Sequence, residues 1–256
     1  MITKGIILLG GKGKRLKPLT DYFSKHLLPV YNKPMFYYSL STLIYANIKE
    51  ILIICNKKDL PIYKKIVAPI SKKNKIKFLF EIQKNPAGGV AECLKIGSQF
   101  IKSCKRFVLI LGDNFFFGRE FPKILRRAIN KKKSFIFLSS VNNPKNFGIA
   151  KFNKKNKLIK IIEKPTSIFS NLAVTGLYVY NSSSISNLKS IKRSKRGELE
   201  ITSFNNALIK KNSLDYINLG FGITWFDLGS FSNLYECSGF VKLQEIRKGI
   251  QIAKII

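Results

Sequence analysis

Lys4-Gly5-Ile6-Ile7-Leu8-Leu9-Gly10-Gly11-Lys12-Gly13-Lys14-Arg15-Leu16-Lys17-Pro18-Leu19-Thr20 decides how the fold of this chain is read. Gly5–Leu9 is an apolar run of strand length that breaks at once into three close glycines, Gly10, Gly11 and Gly13. A strand running into a glycine-rich turn is how α/β proteins bring bare backbone N–H groups up to phosphates. Glycine permits close approach of the backbone, while Lys12, Lys14 and Arg15 supply neutralising charge. The stretch predicts a nucleoside triphosphate site at the N-terminal end of the chain. It is neither of two better-known phosphate loops. Gly5 to Gly10 is followed by Gly11 instead of the P-loop lysine, and Gly11–Gly13 meets Leu16 where a dinucleotide fingerprint needs its third glycine. A plain turn of an α/β fold would share the same glycines. Arg15, Lys25 and the stretch Lys25–Val30 favour the phosphate reading.

Working outward, the first half alternates apolar runs with helical spacing. Strands are expected at Glu50–Cys55, Ile76–Ile82, Phe107–Leu111 and Ser134–Ser139. Helices are expected at Met35–Ala46, Asp59–Val67, Val90–Phe100 and Phe121–Asn130. Continuous apolar strands between helices predict a parallel sheet covered on both faces, with ligands beyond the carboxyl ends of the strands. The second half is richer in β-structure. Gly148–Phe152 and Lys157–Ile162 flank a polar turn and predict a hairpin. Strands follow at Val174–Tyr180, Asp215–Asn218 and Ile223–Phe226, and helices at Glu198–Lys210 and Phe231–Arg247. The polar, basic Ser182–Arg196 predicts a helix and then a mobile loop.

The chain has 256 residues, 45% of them hydrophobic, and no apolar run of transmembrane length. The opening residues lack a signal-peptide layout, so a cytoplasmic location is expected. Four scattered cysteines and a single histidine, His26, offer no zinc-site spacing and read as reduced thiols. The 46 Lys and Arg against 14 Asp and Glu give a net charge of +32. The lysines occur in nearly every loop instead of one tail or helix, and no aromatic-basic RNA motif accompanies them. The charge therefore reads as a solvated surface, with no specific nucleic acid and no membrane as partner.

The N-terminal stretch, with Ser24-Lys25-His26-Leu27-Leu28-Pro29-Val30 and Lys33-Pro34-Met35, resembles the sugar-1-phosphate nucleotidylyltransferases. The likeness continues through Leu111-Gly112-Asp113-Asn114, Glu163-Lys164-Pro165, Ala173–Tyr178, Arg196–Thr202 and Trp225–Gly229, covering nearly the whole chain in order. It is greatest toward the members that join dTTP to glucose 1-phosphate. The resemblance implies a single α/β domain over 1–256 with a Rossmann-like, mixed but mostly parallel sheet flanked by helices. About 1–140 would form the nucleotide-binding core, and about 141–256 a continuous β-rich lobe for the sugar phosphate. It also implies Mg²⁺ as cofactor and a homo-oligomer, tetramer or dimer.

Transfer of a nucleotidyl group needs cations around a triphosphate and carboxylates for a metal more than it needs acid–base chemistry. Arg15 can fork onto phosphate oxygens as lysine cannot. Asp113 and Asp227 each end an apolar segment, where they could share one Mg²⁺ or cap a following helix; the resemblance selects the metal. It further implies that Arg15 engages the triphosphate with Gly10, Gly11 and Gly13, and that Lys25 reaches the phosphates at the reacting centre. Glu163 would bond sugar hydroxyls, and Lys164 and Arg196 would grip the sugar's phosphate. Asn114 and Gly148 would line the sugar, with Tyr178 beside it. The Gln83 amide can donate and accept along a thymine or uracil edge, with Gly88 as its companion. The Gln83–Glu92 stretch carries two glycines, Gly88 and Gly89, where the family pattern has one fewer residue. Lys14, Phe147 and Ser203 also depart from that pattern. The chain stops at Ile256, before the C-terminal helical part of longer members, which leaves end-product feedback open. A uridylyl- or cytidylyltransferase, or a non-catalytic sugar-nucleotide binder of the same fold, fits the same residues.

Overall fold

The computed structural model describes residues 3–85, 87–194 and 197–256. Its strands, in chain order, are β1 (Thr3–Leu9), β2 (Pro29–Val30), β3 (Lys33–Pro34), β4 (Glu50–Cys55), β5 (Lys77–Ile82), β6 (Arg106–Leu111), β7 (Asn114–Phe117), β8 (Ser134–Ser140), β9 (Gly148–Phe152), β10 (Leu158–Glu163), β11 (Leu172–Asn181), β12 (Leu214–Asn218) and β13 (Thr224–Asp227). The helices are α1 (Leu19–Tyr22), α2 (Phe36–Tyr45), α3 (Leu60–Asn74), α4 (Val90–Ile96), α5 (Ser98–Lys102), α6 (Phe121–Ile129), α7 (Ile201–Lys210) and α8 (Phe231–Lys248).

The order β5-β4-β1-β6 is fully parallel, as the apolar runs predict. Successive residues point to opposite faces, and both faces are buried. Ile7, Leu9, Ile51 and Ile53 pack with α2, α3 and α6; Ile6, Leu8, Leu52 and Ile54 pack with α4. Beyond β6 the pairing turns antiparallel. The long β11 runs antiparallel between β6 and β8, β12 adds parallel to β8, and the β9–β10 hairpin joins the start of β11 through Ala173 and Ile149. The fifth strand of the first half is thus separated from its predecessors by a strand of the second, and both halves share one sheet. Antiparallel neighbours need no crossover helix, so the strand–helix alternation does not mark this insertion.

Three other expectations are revised. The helix expected over Val90–Phe100 is two helices hinged at Gly97. A Cβ there would lie 3.2 Å from Ile6 and 3.3 Å from Leu52, so glycine lets this layer sit close on the sheet. The helix expected to end at Val67 runs through Pro69 to Asn74, where Lys75 turns left-handed at φ 52°. Ser182–Ser190 is a 3₁₀ run rather than an α-helix.

A separate two-stranded ribbon, β7 paired antiparallel with β13, has no counterpart in the sequence reading for β7. Phe115 lies across from Phe226 in it, and both rings pack against Phe240 of α8. Among the described residues no helix is long and apolar enough to cross a membrane.

Candidate active site

The carboxyl ends of β1 and β6 open into a cleft of about 360 Å³. The glycine loop leaves β1 into this cleft. Gly13 takes φ 60°, and its carbonyl accepts from Thr20 Oγ1 at 2.9 Å and from the Leu16 amide at 2.9 Å. Gly10 lies flush under the Gln83 side chain: a Cβ there would stand 1.9 Å from Gln83 Oε1. Gln83 itself is buried, and its backbone N–H donates to the Cys55 carbonyl at 2.9 Å.

The ribbon brings the two carboxylates together. Asn114 is the cross-strand partner of Asp227, and the Leu228 amide donates to the Asp113 carbonyl at 2.8 Å. Lys25 donates to Asp113 Oδ2 in an ion pair that is largely buried. Arg15 reaches Asp227 at 3.7 Å across Gly229, where any Cβ would meet its guanidinium at 2.3 Å. Burial opposes charge on Asp113, but the Lys25 ammonium and its hydrogen bond outweigh that and hold the carboxyl below the ordinary range. Asp227 is pushed above its ordinary range, first by burial and then by the charge of Asp113. The two acids are therefore driven apart in acidity by their mutual repulsion and their unequal cations.

Elsewhere on the cleft wall, Gly148 and Glu163 are cross-strand partners at the ends of β9 and β10. Thr202 Oγ1 donates to Glu163 Oε2 at 2.6 Å, and a Cβ on Gly148 would approach both side chains at 3.2–3.3 Å. Lys164 turns left-handed at φ 45°, an uncommon state for a residue with a Cβ, while its amide bonds the Phe147 carbonyl at 2.9 Å. This turn sets Lys164 on the cleft wall beside Glu163. Tyr178, on β11, lines the cleft floor and stacks on Tyr180.

Most residues expected at the site converge here: Gly10, Gly11, Arg15, Lys25, Gln83, Asp113, Asn114, Gly148, Glu163, Lys164, Tyr178 and Asp227 all line the cleft. Gly13 holds the loop from behind and does not line it. Gly88 does not line it either. The neighbouring Gly89 does, at φ 87°, where a Cβ would stand 2.5 Å from the Leu199 carbonyl oxygen. Arg196 lies outside the described residues. Asn114 faces the cleft but its amide is committed internally. Nδ2 donates to Asp113 at 3.0 Å, and Oδ1 accepts from the Gly176 amide at 2.9 Å and from Trp225 Nε1 at 2.7 Å. It braces the centre instead of presenting an open amide.

Other cleft residues carry no expectation from the sequence. Trp225, Thr202 and Gly176 act through contacts that only the fold creates; a Cβ on Gly176 would stand 2.5 Å from the Asn114 amide. His26 is buried on the cleft wall, its pKa lowered to about 3 by burial first and the Lys25 charge second. Its Nδ1 has no hydrogen-bond partner among the described residues.

A glycine loop, two cations, two facing carboxylates and a second polar cluster share one cleft. Residues 4–244 match the family model described as nucleotidyl transferase, and the chain belongs to that family. Glucose-1-phosphate thymidylyltransferase of Neisseria meningitidis serogroup A is 39% identical over 251 residues, 98% of this chain and 86% of that one. The enzyme of the same name from Mycolicibacterium smegmatis is 39% identical over 249 residues, 97% of this chain and 85% of its own. A Bacillus anthracis structure described as glucose-1-phosphate thymidylyltransferase, solved with sucrose, superposes with a TM-score of 0.83 at 36% identity, covering 93% of this chain and 94% of that one. A UDP-glucose pyrophosphorylase bound to UDP-glucose shares the fold, with a TM-score of 0.82 at 20% identity over 95% of this chain.

Proposed function

We propose that this protein transfers the thymidylyl group of dTTP to glucose 1-phosphate, giving dTDP-glucose and pyrophosphate. The observation that carries the reading is the joining, in one cleft, of the glycine loop and Arg15 with Lys25, the Asp113–Asp227 pair and the Glu163–Lys164 turn. The relatives that share this chain's sequence over nearly its full length bear that activity in their names.

A phosphate oxygen of the sugar phosphate attacks the α-phosphorus. The bond from that phosphorus to the α–β bridging oxygen breaks, and its electron pair leaves with pyrophosphate. The barrier is alignment and repulsion between anions. Gly10 and Gly11 offer close backbone approach on the triphosphate side, and Arg15 forks onto its oxygens. Lys25, paired with Asp113, would offset the charge that builds at the α-phosphorus. Glu163, held by Thr202, accepts from sugar hydroxyls; Lys164, with Arg196, holds the sugar's phosphate.

The donor set fits magnesium. That ion takes one or two carboxylates and completes its shell with phosphate oxygens and water, without an all-protein cage. Among the described residues there is no cluster of three or more His, Cys, Asp and Glu side chains able to hold a metal. Asp113 and Asp227 would be its ligands, and bound there it would neutralise charge on the reacting phosphates. Lys25 and Arg15 are the counter-ions of the two acids.

The base is read by Gln83, with Gly89 rather than Gly88 lining the same cleft. The nucleotide substrate sets the reaction in the cytoplasm. Pyrophosphate release with glucose 1-phosphate and Mg²⁺, measured with dTTP, UTP, CTP, ATP and GTP in turn, tests the reading: dTTP should lead. Turnover led by another nucleotide would move the base assignment, and none with any nucleotide in folded protein would overturn the reaction.

A further inference from the structure

A second cleft, of about 650 Å³, opens beyond the glycine loop. It meets the catalytic cleft at Gly11, Lys25 and Gln83, on the nucleotide side, and none of Gly148, Glu163, Lys164 and Tyr178 borders it. Its wall carries Lys12, Lys17, Lys25, Lys57, Lys58 and Lys84, six of fourteen lining residues. That share far exceeds what 46 Lys and Arg in 256 residues would place there by composition. The one carboxylate on the wall, Asp21, is taken by Lys17 at 2.7 Å, and Lys25 is held by Asp113. Lys12, Lys57, Lys58 and Lys84 make no ion pair among the described residues.

The basin is tied to the catalytic loop. The Asn56 amide donates to the Gly11 carbonyl at 3.4 Å and to the buried Asp59 at 3.1 Å. Lys57 and Lys58 follow Asn56 directly on a 3₁₀ turn beyond the carboxyl end of β4. In an in-line displacement the leaving group departs on the side opposite the incoming oxygen. The sugar side is Gly148, Glu163 and Lys164, so the departing group faces the glycine loop and the cations behind it. Converging positive charge in a cleft raises the local concentration of a polyanion.

We propose that this lysine basin is a second anion site, which receives the displaced pyrophosphate and presents it for the reverse reaction. The assignment rests on the nucleotidyl-transfer reading. Its test compares the triple variant K57Q/K58Q/K84Q with K131Q/K132Q/K133Q, which removes the same charge from the turn between α6 and β8. Inorganic pyrophosphate is titrated calorimetrically into each full-length protein without nucleotide, a measurement that needs no turnover. The basin triple should weaken binding about tenfold, an effect that shrinks as salt rises, while the distant triple changes little. In the reverse reaction the KM for pyrophosphate should rise by a similar factor, with the KM for sugar phosphate in the forward direction unchanged. Equal weakening by both triples would assign the effect to the overall charge and overturn the site, as would no weakening by either. Failure of turnover in wild type would strike the reaction reading alone, with the calorimetric comparison still deciding whether the basin binds the anion.

Discussion

The Leu228 amide donates to the Asp113 carbonyl at 2.8 Å, and this one bond closes the end of the β7–β13 ribbon so that Asp113 and Asp227 face the same space. Two carboxylates so placed repel each other, and burial first and that repulsion second raise the pKa of Asp227. Asp227→Asn should therefore lower turnover at least about a hundredfold while leaving the fold intact, with Tm unchanged or raised by a few degrees. Turnover with Mg²⁺ and a melting curve for the same preparation check both halves. Normal rates would remove Asp227 from the metal centre.

Arg15 is more than half exposed, and its one ion pair among the described residues is with Asp227. Its loss should leave stability unaltered. Arg15→Lys should keep the charge but lose the planar fork, raising the KM for nucleotide by about tenfold or more. Equal kinetics for Lys and Arg at this position would argue against bidentate phosphate contact.

Gly89 and Gly88 make a paired test. Gly89 has φ 87° and no room for a Cβ beside the Leu199 backbone, whereas a Cβ on Gly88 would meet only the flexible end of Glu92. Gly89→Ala should cost about 1–3 kcal/mol and disturb the Leu199 contact; Gly88→Ala should cost less. Urea unfolding of the two variants side by side gives the comparison, and equal losses would contradict it.

His26 is the only histidine in the chain, so its titration can be assigned without ambiguity. Its folded pKa of about 3 lies below the unfolded value, so the unfolded chain binds the extra proton first. Stability from this group is complete above about pH 6.5 and falls as the pH drops below that. His26→Gln should flatten the stability profile between about pH 6.5 and 5. A wild-type profile already flat across that range would contradict the neutral buried imidazole.

Asn114→Ala should destabilise the protein by about 2–4 kcal/mol, because it strips partners from Trp225 Nε1 and the Gly176 amide in a buried setting. The same change should lower kcat more than either KM, since Asp113 loses its brace at 3.0 Å. A rise in sugar phosphate KM alone would show that Asn114 acts on the sugar directly.

The parallel half of the sheet was legible because its strands are buried on both faces and read as unbroken apolar runs. Glu50–Cys55 matches its strand residue for residue. Gly10 was legible because it ends such a run; Asp113 and Asp227 also end apolar segments, but only the family resemblance singles them out as a metal pair over helix caps. What escaped depends on long-range partners. β7 is a short aromatic run whose identity as a strand comes only from β13, more than a hundred residues later. The commitment of Asn114 to Gly176 and Trp225 is invisible for the same reason. The choice between Gly88 and Gly89 turned on a backbone angle and on the approach of Leu199, neither of which composition records.

The β7–β13 ribbon also sets an order of events during synthesis. β1, β4, β5 and β6 can pair while the later chain is still being made, and the glycine loop leaves β1 among them. The second carboxylate arrives with residue 227, once α7 and β12 have already been made. A nascent chain can therefore have its first strands and glycine loop in place well before it has both halves of its acidic pair. Turnover that needs both acids therefore waits for the ribbon, and activity becomes a reporter of its formation.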